Sequence, residues 1–183
     1  KMTNAISRLL VALSVGTGLL FSAAAQAELP ADVQARVDSY KKKLVAWAAD
    51  PAVVKAVAAA NEKGGVAGMN NAKWEELADD DAAVQSTIKA PICQQLRQWE
   101  EDKGINKLYL RDQKGNVVAG VARTLLYNAS SRPHIAAALK GEVAQGKDVK
   151  PDPSTQVKSV QLAVPVLDGG KTIGVMHTAV TAQ

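Results

Sequence analysis

The chain has 183 residues, 22 basic against 18 acidic side chains, a formal net charge of +4 and one cysteine. A chain of this size makes one domain with a real hydrophobic core, and a lone Cys93 excludes an internal disulfide, so packing must supply the stability. No basic stripe with interleaved aromatics is present, which argues against nucleic acid as a partner.

Lys1 and Arg8 flank the start, Leu9 to Ala25 is a short apolar run, and Ala25-Gln26-Ala27 is a small-x-small cleavage site. This pattern reads as an export signal over residues 1–27, with cleavage after Ala27 and a periplasmic mature protein beginning at Glu28. Glycines within the run and the cleavage site favour a removed signal over an uncleaved membrane anchor. Its removal leaves 156 residues with 20 basic and 18 acidic groups. No later stretch reads as apolar enough to insert into a membrane.

Residues 31–48 read as a helix, because Val33, Val37, Tyr40, Leu44 and Trp47 recur every three or four positions. The run Lys41-Lys42-Lys43 is its solvated face. Asp50-Pro51 ends this helix and caps the next, about 51–62, which Gly64-Gly65 stops. Trp74 sits in a helical turn, and Asp79-Asp80-Asp81 starts or caps a further element. Ser86 to Asp102 carries the stripe Ile88, Ile92, Leu96 and Trp99, and Pro91 inside it predicts a kink or a late start. Cys93 there reads as a small buried apolar group.

Two hairpins follow. The first spans about 106–112 and 117–124 around Gln113-Lys114-Gly115-Asn116; the second spans about 157–167 and 171–181 around Asp168-Gly169-Gly170. Between them lie a short helix over 131–139, capped by Ser130 or Ser131 with Pro133 in its first turn, and a polar segment with one short edge strand near 146–150. Alternation puts Leu108 and Leu110 on one face of the first strand and Lys107, Tyr109 and Arg111 on the other. Val160, Leu162, Val164 and Val166 oppose Ser159, Gln161 and Ala163. Ile173, Val175, His177 and Ala179 oppose Gly174, Met176, Thr178 and Val180. One sheet face is therefore nearly pure hydrocarbon, and the other mixes apolar groups with Tyr109, Arg123, Ser159, Gln161 and His177. An apolar pocket with a few convergent polar groups suits a small molecule.

The order of elements resembles the Cache family, the extracytoplasmic PAS-like sensor domains of bacterial receptors. The features that carry it are the long first helix, the DPAVVKAVAAAN helix, the Trp-centred turn, the DQKGN turn between two strands, the Thr-x-x-Tyr segment ending at Tyr127, the DPSTQ loop and the final hairpin with its IGV strand. They cover roughly 31–181. The resemblance implies an α+β fold: a five-stranded antiparallel sheet of order 2-1-5-4-3, a long N-terminal helix and flanking helices. It also implies a small-molecule pocket, with no cofactor, for ligands such as amino acids, carboxylates, amines or purines. Members usually carry two membrane spans and an intracellular output module. Here the sequence stops at Gln183 without either, which is similar to stand-alone exported single-Cache proteins that signal through a separate membrane receptor, kinase or transporter. After Tyr127 the family's Trp and acidic loop are replaced by Asn128-Ala129-Ser130-Ser131-Arg132, so the acid that grips an amino group is absent there.

Arg123 and Tyr127 flank the end of the second strand, where Arg123 could grip a carboxylate with two parallel bonds and Tyr127 add a hydroxyl. Tyr109 and Trp74 are candidate pocket walls, and Gln161 and His177 candidate polar contacts. The alternative for Arg123 is a surface salt bridge, and for the aromatics plain core packing. His177 next to Met176 is not a haem pair, since adjacent strand residues point to opposite faces and no CxxCH exists. His134, His177 and Cys93 are too scattered for a metal cage. Neither GxSxG nor HExxH is present, so no catalytic site is expected. The sequence thus points to a periplasmic sensor of a small anionic metabolite, or else to a protein-interaction module of the same fold with a filled pocket.

Overall fold

A computed structural model describes residues 28–182. The expected export signal and its cleavage site lie outside the described residues.

The first helix, α1 (Ala31–Ala48), buries Val33, Val37 and Leu44 of the predicted stripe together with Ala48, while Tyr40 and Trp47 of that stripe are partly buried against the same core. It meets α2 (Pro51–Lys63) at a bend of 67°. Asp50 makes that corner: its carboxylate accepts the Ala52 N–H at 2.8 Å, and Pro51 occupies the first turn. Gly64 ends α2 at φ 77°, a left-handed stop. Asn70 caps α3 (Asn71–Glu76) and Asp81 caps α4 (Ala82–Ile88). The stretch read as one helix from Ser86 is two, α4 and α5 (Cys93–Glu100). Pro91 has no N–H to continue the ladder, so the chain turns there and restarts at Cys93. Among the described residues no single helix is long and apolar enough to cross a membrane.

The strands are β1 (Ile105–Asp112), β2 (Val117–Gly120), β3 (Ala144–Gln145), β4 (Lys150–Pro151), β5 (Lys158–Asp168) and β6 (Lys171–Thr181). Helix α6 (Pro133–Leu139) lies between β2 and β3. The order is β2-β1-β6-β5-β3, all antiparallel, with β4 also on β5. This is the expected 2-1-5-4-3 sheet with its edge strand in two short pieces, so six strands form where five were expected. Gly146 still donates to the Gln161 carbonyl at 2.7 Å, after which the chain leaves the ladder until Lys150. Pro151 has no donor to extend it.

Two further boundaries differ from the sequence reading. Strand β2 stops at Gly120 rather than near 124. The Tyr109 ring lies where a Gly120 side chain would be, 2.2 Å from an ideal Cβ. Helix α6 starts on Arg132 without a side-chain cap. The Ser130 hydroxyl instead donates to Asn128 Oδ1 at 2.7 Å.

Leu108, Leu110, Val160, Leu162, Val164, Val166, Met176 and Val180 form the hydrocarbon face. Helices α1, α2 and α5 cover it with Val37, Leu44, Val53, Val57 and Leu96. Cys93 joins this core, and its thiol donates to the Thr87 carbonyl at 3.2 Å. Truncating one such leucine to alanine costs about 2–5 kcal/mol. The opposite face is covered by α6, through Ile135 and Ala138 packed on Ala163 and Val175, and by the irregular segments around it.

Candidate functional site

Side-chain period two brings Lys107, Tyr109 and Arg111 of β1 to this second face. In register, Tyr109 pairs with His177 of β6, and His177 with Ala163 of β5. The Tyr109 and His177 rings are 5.3 Å apart, and His134 of α6 sits 6.4 Å from His177. The result is a compact group of polar side chains enclosed between sheet, α6 and loops.

Arg111 is its centre, only 3% exposed. Its Nε donates to His177 Nε2 at 2.9 Å, and its Nη1 donates to the carbonyls of Gly115 and Tyr127, each at 3.0 Å. None of the ion pairs among the described residues involves Arg111. A buried guanidinium without a carboxylate is costly, and burial pulls its pKa down to about 10.

Arginine has no acceptor to offer, so His177 Nε2 must be unprotonated and Nδ1 must carry the ring proton. That Nδ1 is buried and has no hydrogen-bond partner. Burial first, then the Arg111 charge, holds the His177 pKa well below 6.5. Burial, with Arg132 and Arg111, brings His134 down to about 4. Both imidazoles are therefore neutral at pH 7.

The loop after β4 contributes Asp152, 1% exposed. It pairs with Lys107 and accepts the Ser154 N–H at 2.9 Å and hydroxyl at 2.6 Å. Gln161 Nε2 stands 3.4 Å from the same carboxylate. Burial raises its pKa, but the hydrogen bonds from Lys107 and Ser154 outweigh that and leave it at about 2. Arg111 has no salt-bridge partner among the described residues, the charges of Asp112 and Arg132 act on it in opposite senses, and His177 leaves one free buried N–H donor. The guanidinium and that donor favour an anionic group with acceptor oxygens.

Of the six residues singled out from the sequence, Tyr109, Gln161 and His177 meet on this face. Trp74, Arg123 and Tyr127 do not. Trp74 and Tyr127 pack with Val84 and Val117 in a satellite core, their rings 5.5 Å apart. Trp74 Nε1 donates to the Thr124 carbonyl at 2.8 Å, and the Tyr127 hydroxyl accepts the Val66 N–H at 2.8 Å. Arg123 lies 5.6 Å over the Trp74 ring and donates to the carbonyls of Trp74 (2.5 Å) and Leu77 (2.9 Å) and to Asp79 (2.7 Å). Of the two readings of Arg123, the structure shows the ion pair, with Asp79, while the Trp74 carbonyl in the last turn of α3 and the Leu77 carbonyl just past it take its other donors. The satellite core adjoins the second face at Arg111, which donates to the Tyr127 carbonyl and pairs with Val117 in the β1–β2 ladder.

Sequence reasoning did not single out Arg111, Lys107, His134 or Asp152. The parity of β1 was the signal for Arg111 and Lys107, which share a face with Tyr109. Asp152 opens the DPSTQ loop, which carried the resemblance but has no periodicity to place its side chain. The acid expected to be absent after Tyr127 is absent there, and Asp152 brings a carboxylate to the face from a different segment.

No family model and no curated protein matches the chain. Among solved structures, the sensor domain of the V. cholerae histidine kinase DctB is similar over 81% of this chain and 50% of its own length, with a TM-score of 0.56 and 19% identity. The ligand-binding domain of the Pseudomonas aeruginosa PAO1 amino acid chemoreceptor PctC, in complex with GABA, has a TM-score of 0.45 and 13% identity over 83% of this chain and 56% of its own. The sensory domain of a Campylobacter jejuni chemoreceptor with isoleucine bound has a TM-score of 0.42 and 11% identity over 84% and 64%. The chain spans half the length of the DctB sensor domain. The likeness to that domain is one of fold, a PAS-like α+β arrangement of an antiparallel sheet with flanking helices.

Proposed function

We propose that the protein is an extracytoplasmic sensor domain that binds a small carboxylate-bearing metabolite, an organic acid or an amino acid, on the second face of its sheet. The observation that carries this reading is the buried Nδ1–H of His177, a donor without an acceptor beside a guanidinium that has no salt-bridge partner among the described residues. A ligand carboxylate would accept from His177 Nδ1 and neutralise the field of Arg111 and Lys107. Tyr109 would wall the site and Gln161 offer an amide. Asp152 stands ready for the ammonium of an amino acid, at the expense of its bond to Lys107. Arg111 acts as a positioning residue: its bonds fix the His177 tautomer and tie the 126–127 segment to β1. In the periplasm, reached by an export signal over residues 1–27, the domain would pass occupancy to a separate membrane receptor, kinase or transporter.

A thermal-shift screen of carboxylates, amino acids and purines tests this reading, because a ligand that binds only the native state raises Tm. Calorimetry on the best binder then compares wild type with His177→Phe. Losing one hydrogen bond to a charged group should cost about 1.5–3 kcal/mol of affinity. Equal affinity would place the ligand elsewhere. A flat screen would favour a protein-interaction module, for which Tyr109, Arg111 and His177 already fill the face.

A further inference from the structure

On the other side of the sheet, an open groove of about 870 Å³ runs between α2 and the α4–α5 corner, above β2. It is distinct from the polar face. Helix α2 turns Val53 and Val57 into the core and lines the groove with Ala56, Ala59 and Ala60. These side chains are too short to fill the gap to α5. The facing wall carries Gln94 and Gln98, and the break at Pro91 sets the angle of that wall. Val118 and Tyr127 also line it, and Val66, 40% exposed, stands at its edge.

The charge on this lining has one sign. Lys55 and Lys63 line the groove, eight residues apart on α2, or about 12 Å at 1.5 Å per residue. Neither takes part in an ion pair among the described residues, and no carboxylate lines the groove. An apolar trough with amides on one wall and free ammonium groups on the other complements an elongated molecule with a hydrocarbon body and an anionic head. Its volume lies within the range of about 300–1,000 Å³ typical of small-molecule sites. The groove is concave, so it suits a single molecule entering from water rather than a flat lipid surface.

We propose that this groove is a second ligand site, for a monomeric amphipathic anion such as a medium-chain carboxylate. The bound chain would lie against Ala56 and Ala59, with its carboxylate at Lys55 or Lys63. It would bridge α2 to the α4–α5 corner, two segments that otherwise face each other across open space.

Titration calorimetry with octanoate, and with octanol as the uncharged molecule of the same length, tests the assignment. Wild type binds octanoate with one-to-one stoichiometry. Ala59→Trp places an indole in the trough from an exposed helix position and weakens octanoate by about tenfold or more. The double variant Lys55→Glu, Lys63→Glu weakens octanoate by about tenfold while octanol changes by less than about twofold. Unchanged octanoate affinity in Ala59→Trp overturns the proposal, as does equal loss of octanoate and octanol in the lysine variant. Failure of wild type to bind free octanoate, or binding only to anionic lipid vesicles, overturns it too. These residues lie across the sheet from His177, so the result leaves the sheet-face reading untouched.

Discussion

His177 and Arg111 show how much one hydrogen bond decides. The guanidinium takes Nε2, so the proton sits on Nδ1, where nothing receives it. Half of this arrangement was legible in the sequence. Alternation along β1 and β6 places Tyr109, Arg111 and His177 on sheet faces, but which faces coincide depends on pairing register, and parity within one strand does not specify it. Arg123 takes the salt-bridge alternative that the sequence left open, and its position near a strand end does not reveal that the Trp74 and Leu77 carbonyls will also take its donors. The buried imidazoles carry a pH prediction. Their native pKa values lie below 6.5, at about 4 for His134 and well below 6.5 for His177. The unfolded chain therefore binds protons that the native state does not as pH falls through 6.5, and stability drops with it. Asp152 and Asp102, both held at about 2, add their own loss only near and below the ordinary carboxylate range. Urea titrations should find stability flat from pH 8 to about 7 and falling between about 6.5 and 4. Replacing His134 by Gln should flatten part of that fall; an unaltered profile would show His134 to be solvated and freely titrating.

At the scale of elements, caps and breakers were the most readable signals. Asp50, Pro51, Gly64 and Asp81 each act where local chemistry places them. The end of β2 was not readable, because a tertiary contact sets it: the Tyr109 ring occupies the space a Gly120 side chain would need. Gly120→Ala should therefore push the ring aside and cost about 1–3 kcal/mol, as overpacking does. Chemical denaturation measures this, and a loss under about 0.5 kcal/mol, the scale of an ordinary surface change, would mean that the ring moves freely. Arg123 belongs to this scale as well. Arg123→Ala should lower stability by about 1–3 kcal/mol by stripping the acceptors of α3, yet leave sheet-face ligand affinity unchanged. If affinity fell and stability held, the carboxylate grip first expected of Arg123 would be restored. In the loop beside Asp152, Gln156 is the one described non-glycine residue at positive φ, 60°. Gln156→Gly should raise stability by up to about 1 kcal/mol by relieving that strain, visible as a higher urea midpoint.

Across the whole molecule, one sheet separates two environments. The hydrocarbon face, under α1, α2 and α5, supplies the stability and was readable from the alternation of β1, β5 and β6. The polar face, under α6 and the loops, carries Lys107, Asp152, Arg111 and the two histidines. Its covering residues come from segments without periodicity, so the assembled site could not be read in advance even though the strand order could. On this face the imidazole of His177 keeps an unpaired donor, the group proposed to receive a carboxylate. Nitrogen NMR of the histidine side chains tests that most directly. At pH 7, His177 should be the neutral tautomer with its proton on Nδ1, and that proton should move downfield when the carboxylate giving the largest Tm increase is added. An Nε2–H tautomer, or an Nδ1–H resonance indifferent to every carboxylate that raises Tm, would contradict it.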